Sequence, residues 1–165
     1  MEFYIFSTAL GWVGLLASSR GLMRLALPRQ DRDEVLREMG QLVDSPQNPS
    51  AFGDLPQRIT RYFAGERVKF PDAVDLDGAS PFQRHVMDRL QGIPYGETRS
   101  YGWVATAVGV PKGPRAVGQA VARNSVPLVI PCHRVVGHNG LGGFSGGVEL
   151  KRRMLRLEAG GLSAP

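Results

Sequence analysis

The chain holds one thiol, and it lies in the stretch IPCHRVVG, residues 130–137. A cysteine attacks as its thiolate, and a thiolate forms where a base or a positive charge stands close. His133 and Arg134 follow Cys132 directly. On a strand, consecutive side chains point to opposite faces, so a working Cys132–His133 pair requires a turn or helical geometry there, or a water between the two groups. Pro131 favours a chain reversal or a helix start at that point. A base also needs a third group to orient it. The competing reading is a buried structural thiol beside a surface His-Arg pair, because a free cysteine often serves as a small hydrophobe.

Composition narrows the setting. At 165 residues, with 42% hydrophobic and 21% charged, the chain can bury a real core and is not expected to be disordered. Lys+Arg outnumber Asp+Glu by 20 to 15, and a net charge of +5 suits a polyanionic partner, nucleic acid first. One cysteine excludes an internal disulfide and any multi-cysteine zinc site. With His85, His133 and His138 scattered along the chain, no metal is expected. A free thiol fits a reducing, cytoplasmic setting. The apolar start MEFYIFSTALGWVGLLASS opens with Glu2 and is broken at Gly11-Trp12, so it reads as strands and not as a secretory leader or a membrane span.

Periodicity supplies the elements that must position the thiol. Residues 3–7, 12–17 and 22–27 read as three short strands punctuated by Gly11 and Gly21. A helix is expected over 31–43, with Val35, Leu36, Met39 and Leu42 at helical spacing. Residues 45–50 read as a loop. A second helix over 55–65 carries Ile59, Tyr62 and Phe63 on one face and stops at Gly65. Residues 68–80, extended and polar, read as the linker between an N-terminal domain, 1–75, and a C-terminal domain, 76–165.

The second half reads as helical. Ser80 caps a helix over 80–90 with Pro81 in its first turn. Ser100 caps a short helix over 101–108, GVPKGP makes a tight connection, and Pro114 opens a helix through 124. Ala116, Val117, Ala120 and Val121 form its expected buried stripe, leaving Arg115, Gly118, Gln119, Ala122 and Arg123 outward. A last helix spans about 148–159, with Leu150, Met154 and Leu157 toward the core. Two short helices across a Gly/Pro turn suggest a helix-turn-helix. Small residues and arginines on the outer face of its second helix suit close approach to a minor groove.

The runs IPYGETRSYGWVA, PRAVGQAVARN, PLVIPCHRVV, GGFSGG and a final LE occur in this order over about residues 80–160. Together they resemble the O6-alkylguanine-DNA alkyltransferase family, the methylated-DNA–protein-cysteine methyltransferases. The resemblance implies that Cys132 accepts the alkyl group, that His133 is its base through a water, and that Glu158 polarises His133. Tyr101 would hydrogen-bond guanine N3 and rotate the phosphate, and Arg115 would fill the gap left by the extruded base. Asn124 would tie the recognition helix to the active-site segment. Main-chain carbonyls of Val135 and Cys132 would receive the guanine amine, and the Ser145 N–H would meet O6. Ala116 and Gly118 would lie against DNA, and Phe144 would wall the pocket where some members carry Tyr. The N-terminal zinc site of some members cannot form here, and Met87 and Asp88 stand where relatives often have aromatic or basic residues.

The expected fold is therefore α+β: a small N-terminal, ribonuclease-H-like domain with a short antiparallel sheet, then a helical domain with a helix-turn-helix beside the cysteine. The expected activity is single-turnover transfer from O6-alkylguanine, and by extension O4-alkylthymine, in double-stranded DNA held through the minor groove. It needs no cofactor and no membrane, and a monomer suffices. Two alternatives stand beside it. One is an alkyltransferase-like protein that binds lesions without transfer; such relatives carry another residue, often Trp, at the acceptor position, which Cys132 argues against. The other is a basic domain with an inert thiol.

Overall fold

The computed structural model describes residues 1–40 and 46–160, which fall into two compact units, one over Met1–Asp75 and one from Leu76 onward. In the first, strands β1 (Glu2–Thr8), β2 (Gly11–Ser18) and β3 (Gly21–Arg29) form an antiparallel sheet in sequence order. Phe3 and Ile5 of β1, Leu16 of β2 and Ala26 of β3 turn inward to a common core, as period-two alternation requires.

Helix α1 (Arg32–Met39) starts at Asp31, whose side chain accepts from the Asp33 N–H at 2.9 Å. It lays Val35 and Met39 on the sheet at Gly14, where the two surfaces approach so closely that a Cβ would sit 2.5 Å from Val35 Cγ1. The helix ends at Gly40 (φ 78°), earlier than the expected 43; residues 41–43, Leu42 among them, lie outside the described residues. A 3₁₀ turn at Pro49–Phe52 falls in and beyond the expected loop. Helix α2 (Leu55–Phe63) buries Ile59, Tyr62 and Phe63 completely and stops two residues before Gly65.

The stretch read as a linker is only partly one. Leu22 donates its N–H to Ala73 O (2.9 Å) and Asp75 donates to Leu22 O (2.8 Å), so the chain up to Asp75 is laced to β3. Arg58 grips Asp72 through two guanidinium nitrogens, and Ser18 donates to the Asp75 carboxylate. Polar composition signalled exposure, but these acids are there to be paired.

The second unit is built from α3 (Pro81–Gln91), α4 (Tyr101–Ala107), α5 (Pro114–Ala122) and α6 (Val148–Glu158), with a two-stranded parallel pair, β4 (Arg99–Ser100) and β5 (Val135–Val136). Ser80 and Gln83 form a capping box, and Ser100 accepts from the Trp103 N–H at 2.9 Å. Val86, Met87 and Leu90 of α3, Val104 and Ala105 of α4, and Val117, Ala120 and Val121 of α5 are buried. Met87 is thus a core residue. Two expected core positions are not: Ala116, one residue before the i, i+3, i+4 stripe of α5, is exposed, and Leu150 is only half-buried. The inward face of α6 is set by Met154 and Leu157 as expected, together with Lys151 and Glu158. No described helix is long and apolar enough to cross a membrane.

The close approach at Gly14 predicts that Gly14→Ala forces α1 off the sheet. Overpacking of this kind removes about 1–3 kcal/mol, to be read as a lowered urea midpoint.

Candidate active site

The cysteine is delivered by a loop that a single side chain organises. Asn124, just past α5 and buried, donates from Nδ2 to Ile130 O (2.9 Å) and accepts at Oδ1 from the Val126 N–H (3.0 Å). Between these anchors the buried Leu128 adopts φ 76°, a left-handed conformation that costs a branched residue about 1–2 kcal/mol. Residues Cys132–Arg134 then form one 3₁₀ turn capped by Pro131, closed by the Val135 N–H on Cys132 O. Cys132 and His133 are therefore in helical geometry and not on a strand. Pairing of Arg99 with Val135 and Ser100 with Val136 brings Tyr101, the first residue of α4, to the same place.

Behind the turn lies a dry polar cluster. His133 is wholly buried, and its Nε2 makes a short hydrogen bond to Glu158 Oε2. Glu158 Oε1 accepts from Arg134 Nε (2.7 Å) and from the Gly96 N–H (3.3 Å). Arg134 also donates to Ile93 O (2.7 Å) and lies over the Tyr95 ring at 5.7 Å. Burial by itself would raise the Glu158 carboxyl, but hydrogen bonds from His133 and Arg134, with the Arg134 charge, hold it well below the usual carboxylate range. Burial lowers His133 and outweighs the opposing pull of Glu158. An ionised Glu158 accepting from a neutral His133 satisfies both directions, with Arg134 balancing the carboxylate. That tautomer carries its proton on Nε2 and leaves Nδ1 as the nitrogen able to accept one.

Cys132 is 5% exposed, yet it lines a pocket of about 480 Å³ with Tyr101, Gly118, Val121, Gly143, Phe144 and Ser145. A neighbouring groove of about 690 Å³ shares Tyr101 and Gly118 and adds Ser100, Arg115, Gln119 and His138. Burial pushes the Cys132 thiol up to about 11, against a hydrogen bond from Asn124 and the positive charge of Lys151. The resting sulfur is thus a protonated thiol, because desolvation outweighs the nearby cation. Tyr101 is likewise raised, by burial first and then by Cys132. Tyr101 packs tightly on Gly142 (φ 75°), where a Cβ would come within 3.0 Å of the phenol oxygen.

The residues singled out from sequence are thus distributed as follows. Cys132, Tyr101, Gly118, Phe144 and Ser145 share the pocket, and Arg115 stands in the adjoining groove. His133 and Glu158 are hydrogen-bonded behind the turn, Asn124 braces it, and Val135 closes it. Ala116 is on the exposed face of α5 and lines neither cavity. Three residues were not assigned from sequence: Arg134 as the second partner of Glu158, His138 in the groove, and Lys151. The last is fully buried, its Nζ donating to Val135 O (2.7 Å) and Gly143 O (3.2 Å). Its signal was present in the spacing, since Lys151 and Glu158, seven apart with Met154 between them, share one face of a helix.

Fold and site together define a small α+β unit followed by a helical unit that presents a buried cysteine beside a His–Glu pair. Residues 81–160 match the family model described as 6-O-methylguanine DNA methyltransferase, DNA binding domain. The methylated-DNA–protein-cysteine methyltransferase of Mycolicibacterium paratuberculosis is 44% identical over 148 residues, 84% of this chain and 86% of its own. The constitutive enzyme of that name from Bacillus subtilis is 39% identical over 161 residues, covering 96% of each. A crystal structure of Mycobacterium tuberculosis OGT in complex with DNA superposes with a TM-score of 0.81 at 35% identity, over 97% of this chain and 94% of that one. The chain belongs to the methylated-DNA–protein-cysteine methyltransferase family.

Acid should unfold this unit in two stages. The buried His133 is lowered from 6.5, so below that pH the unfolded chain binds a proton that the folded one refuses, and stability falls. Glu158, lowered from 4.5, adds a second loss below that value. Each group contributes at most about 1.4 kcal/mol per pH unit. Urea unfolding between pH 7 and 5 should show the first stage in the native chain and a flatter profile in His133→Gln.

Proposed function

We propose that this chain repairs DNA by taking the alkyl group of O6-alkylguanine, and of O4-alkylthymine where the pocket admits it, onto Cys132 in one irreversible turnover. The observation that carries this is a lone cysteine at a half-open pocket, with a His133–Glu158–Arg134 chain sealed behind it. The lesion carbon is out of reach inside a stacked duplex, so the base must be flipped out, at a few kcal/mol. Helix α5 is the element offered to the minor groove: its exposed face carries Arg115, Ala116, Gln119 and Ala122, with Arg123 just past its end. Arg115, in the groove beside the pocket, is placed to occupy the gap in the stack. One chain carries every group this requires.

In the complex, the Cys132 proton passes through a water to Nδ1 of His133, and Glu158 stabilises the imidazolium. The sulfur attacks the alkyl carbon as the carbon–O6 bond breaks, and the electron pair leaves on guanine. Tyr101, raised and therefore protonated, donates toward N3 as that charge develops, and the proton held by His133 neutralises the released guanine. The product is a thioether with no carbonyl for water to attack, so the protein stops after one event. The alkyl group arrives on the substrate, so the reaction draws on no cofactor.

Mixing the protein with O6-methylguanine duplex should add the mass of one methyl group to the peptide containing Cys132, and nothing in Cys132→Ala. A lesion that stays bound with its methyl group intact would overturn the proposal in favour of lesion binding alone. Arg115→Ala should slow duplex repair roughly tenfold, the worth of a lost stacking contact, while reaction with free O6-benzylguanine stays unchanged. Equal loss on both substrates would remove Arg115 from the duplex.

A further inference from the structure

The mechanism above leaves one buried charge unused. Lys151, at the inward face of α6, is completely inaccessible to water. Its ammonium is held by two main-chain carbonyls, and among the described residues it makes no ion pair with a carboxylate. Both carbonyls are informative. Val135 is the residue whose own N–H closes the Cys132 turn. Gly143 opens the Gly143–Ser145 wall of the pocket that Cys132 lines. One ammonium therefore joins the turn carrying the sulfur to the loop facing it. Burying a cation with only neutral acceptors opposes folding, and here burial draws Lys151 down to about 8. A purely structural clamp between two carbonyls needs no charge; a neutral donor would serve.

We propose that Lys151 is a positioning residue and the internal counter-charge of the transfer: it pins the pocket loop to the Cys132 turn and stabilises the thiolate at the moment the proton leaves. It rests on Cys132 being the acceptor. The cation is preorganised and costs no rearrangement when charge appears on sulfur, the condition under which electrostatic stabilisation is largest. The surroundings define who else contributes. The Lys151 charge acts on Cys132 and His133 of the turn, while Tyr101 shares the Cys132 pocket from α4 and Asn124 braces Cys132 from the end of α5. On its own helix the nearest charged partner of that cluster is Glu158, which is already engaged by His133 and Arg134. Lys151 is thus the cation whose charge Cys132 feels.

The pH profile of Cys132 reactivity separates charge from structure. Iodoacetamide is the probe: the thiolate attacks its methylene carbon and iodide leaves, with no DNA involved, and Cys132 is the chain's one thiol. In the native protein the rate should rise tenfold per pH unit up to about 8, then less steeply, because the ammonium is lost as the thiolate forms. In Lys151→Gln, which keeps a donor but no charge, the rate at pH 7 should fall about tenfold or more, one unit of thiol shift, and the break near 8 should vanish. In Lys151→Arg, charged at every pH used, the break should also vanish while the rate stays above that of the Gln variant. Melting curves establish that each variant is folded, and if Lys151→Gln is not, the Arg profile decides alone. A break that persists in the Arg variant, or a folded Gln variant with the native profile, overturns the inference. The function stands or falls separately: methyl transfer to Cys132 with an unaltered alkylation profile preserves the repair reading and removes the counter-charge. An altered profile without methyl transfer does the reverse.

Discussion

The carboxylate of Glu158 is the group on which the site is assembled. It is buried, and its two oxygens are divided between His133 and Arg134, residues adjacent in sequence on one 3₁₀ turn. That division does several things at once. It neutralises a buried arginine, fixes the tautomer of a buried histidine, and anchors α6 against the turn that carries the nucleophile. Arg134 extends the tie to Ile93, at the end of α3. Loss of the carboxylate would leave an arginine charge without compensation in a dry interior, a change of a kind that removes about 3–5 kcal/mol. The cluster is therefore structural and chemical together.

Burial sets the character of the sulfur. A thiol at 5% exposure is held protonated at rest, and so is little disposed to oxidation or to reaction with stray electrophiles. The groups that can reverse this are all in place around it: a neutral histidine behind, an ammonium on the opposing carbonyls, and an asparagine hydrogen bond beneath.

Much of the fold was legible because local rules and tertiary packing agree. The three strands are short apolar runs whose ends are set by glycine turns. Ser80, Ser100 and Pro114 mark helix starts in sequence as they do in space. The departures have a common cause, which is that periodicity locates a face but not what will cover it. Helix α1 stops at Gly40 because that residue takes a positive φ that continues no helix. Ala116 is apolar in type, yet it faces outward from the first turn of α5, whose buried position is Val117. Leu150 is apolar and expected inward, but α6 turns Lys151 inward, where two carbonyls receive it. The acidic stretch ending at Asp75 read as solvated linker until Arg58 and Ser18 were seen to hold it.

By itself the sequence determined which residue could be the nucleophile, that its neighbour could work with it only through a turn, helical geometry or an intervening water, and the α+β class of the fold. These follow from residue type and from spacings of a few positions, which act through short-range geometry. Only the tertiary structure decided that Tyr101 lines one pocket with Cys132, that Glu158 serves Arg134 as well as His133, and that Lys151 is buried on the carbonyls of Val135 and Gly143. It also decided that the sulfur rests protonated. Those outcomes join groups well separated in sequence, 24 residues for Arg134 and Glu158, and depend on how much water burial removes, a quantity that no local pattern contains.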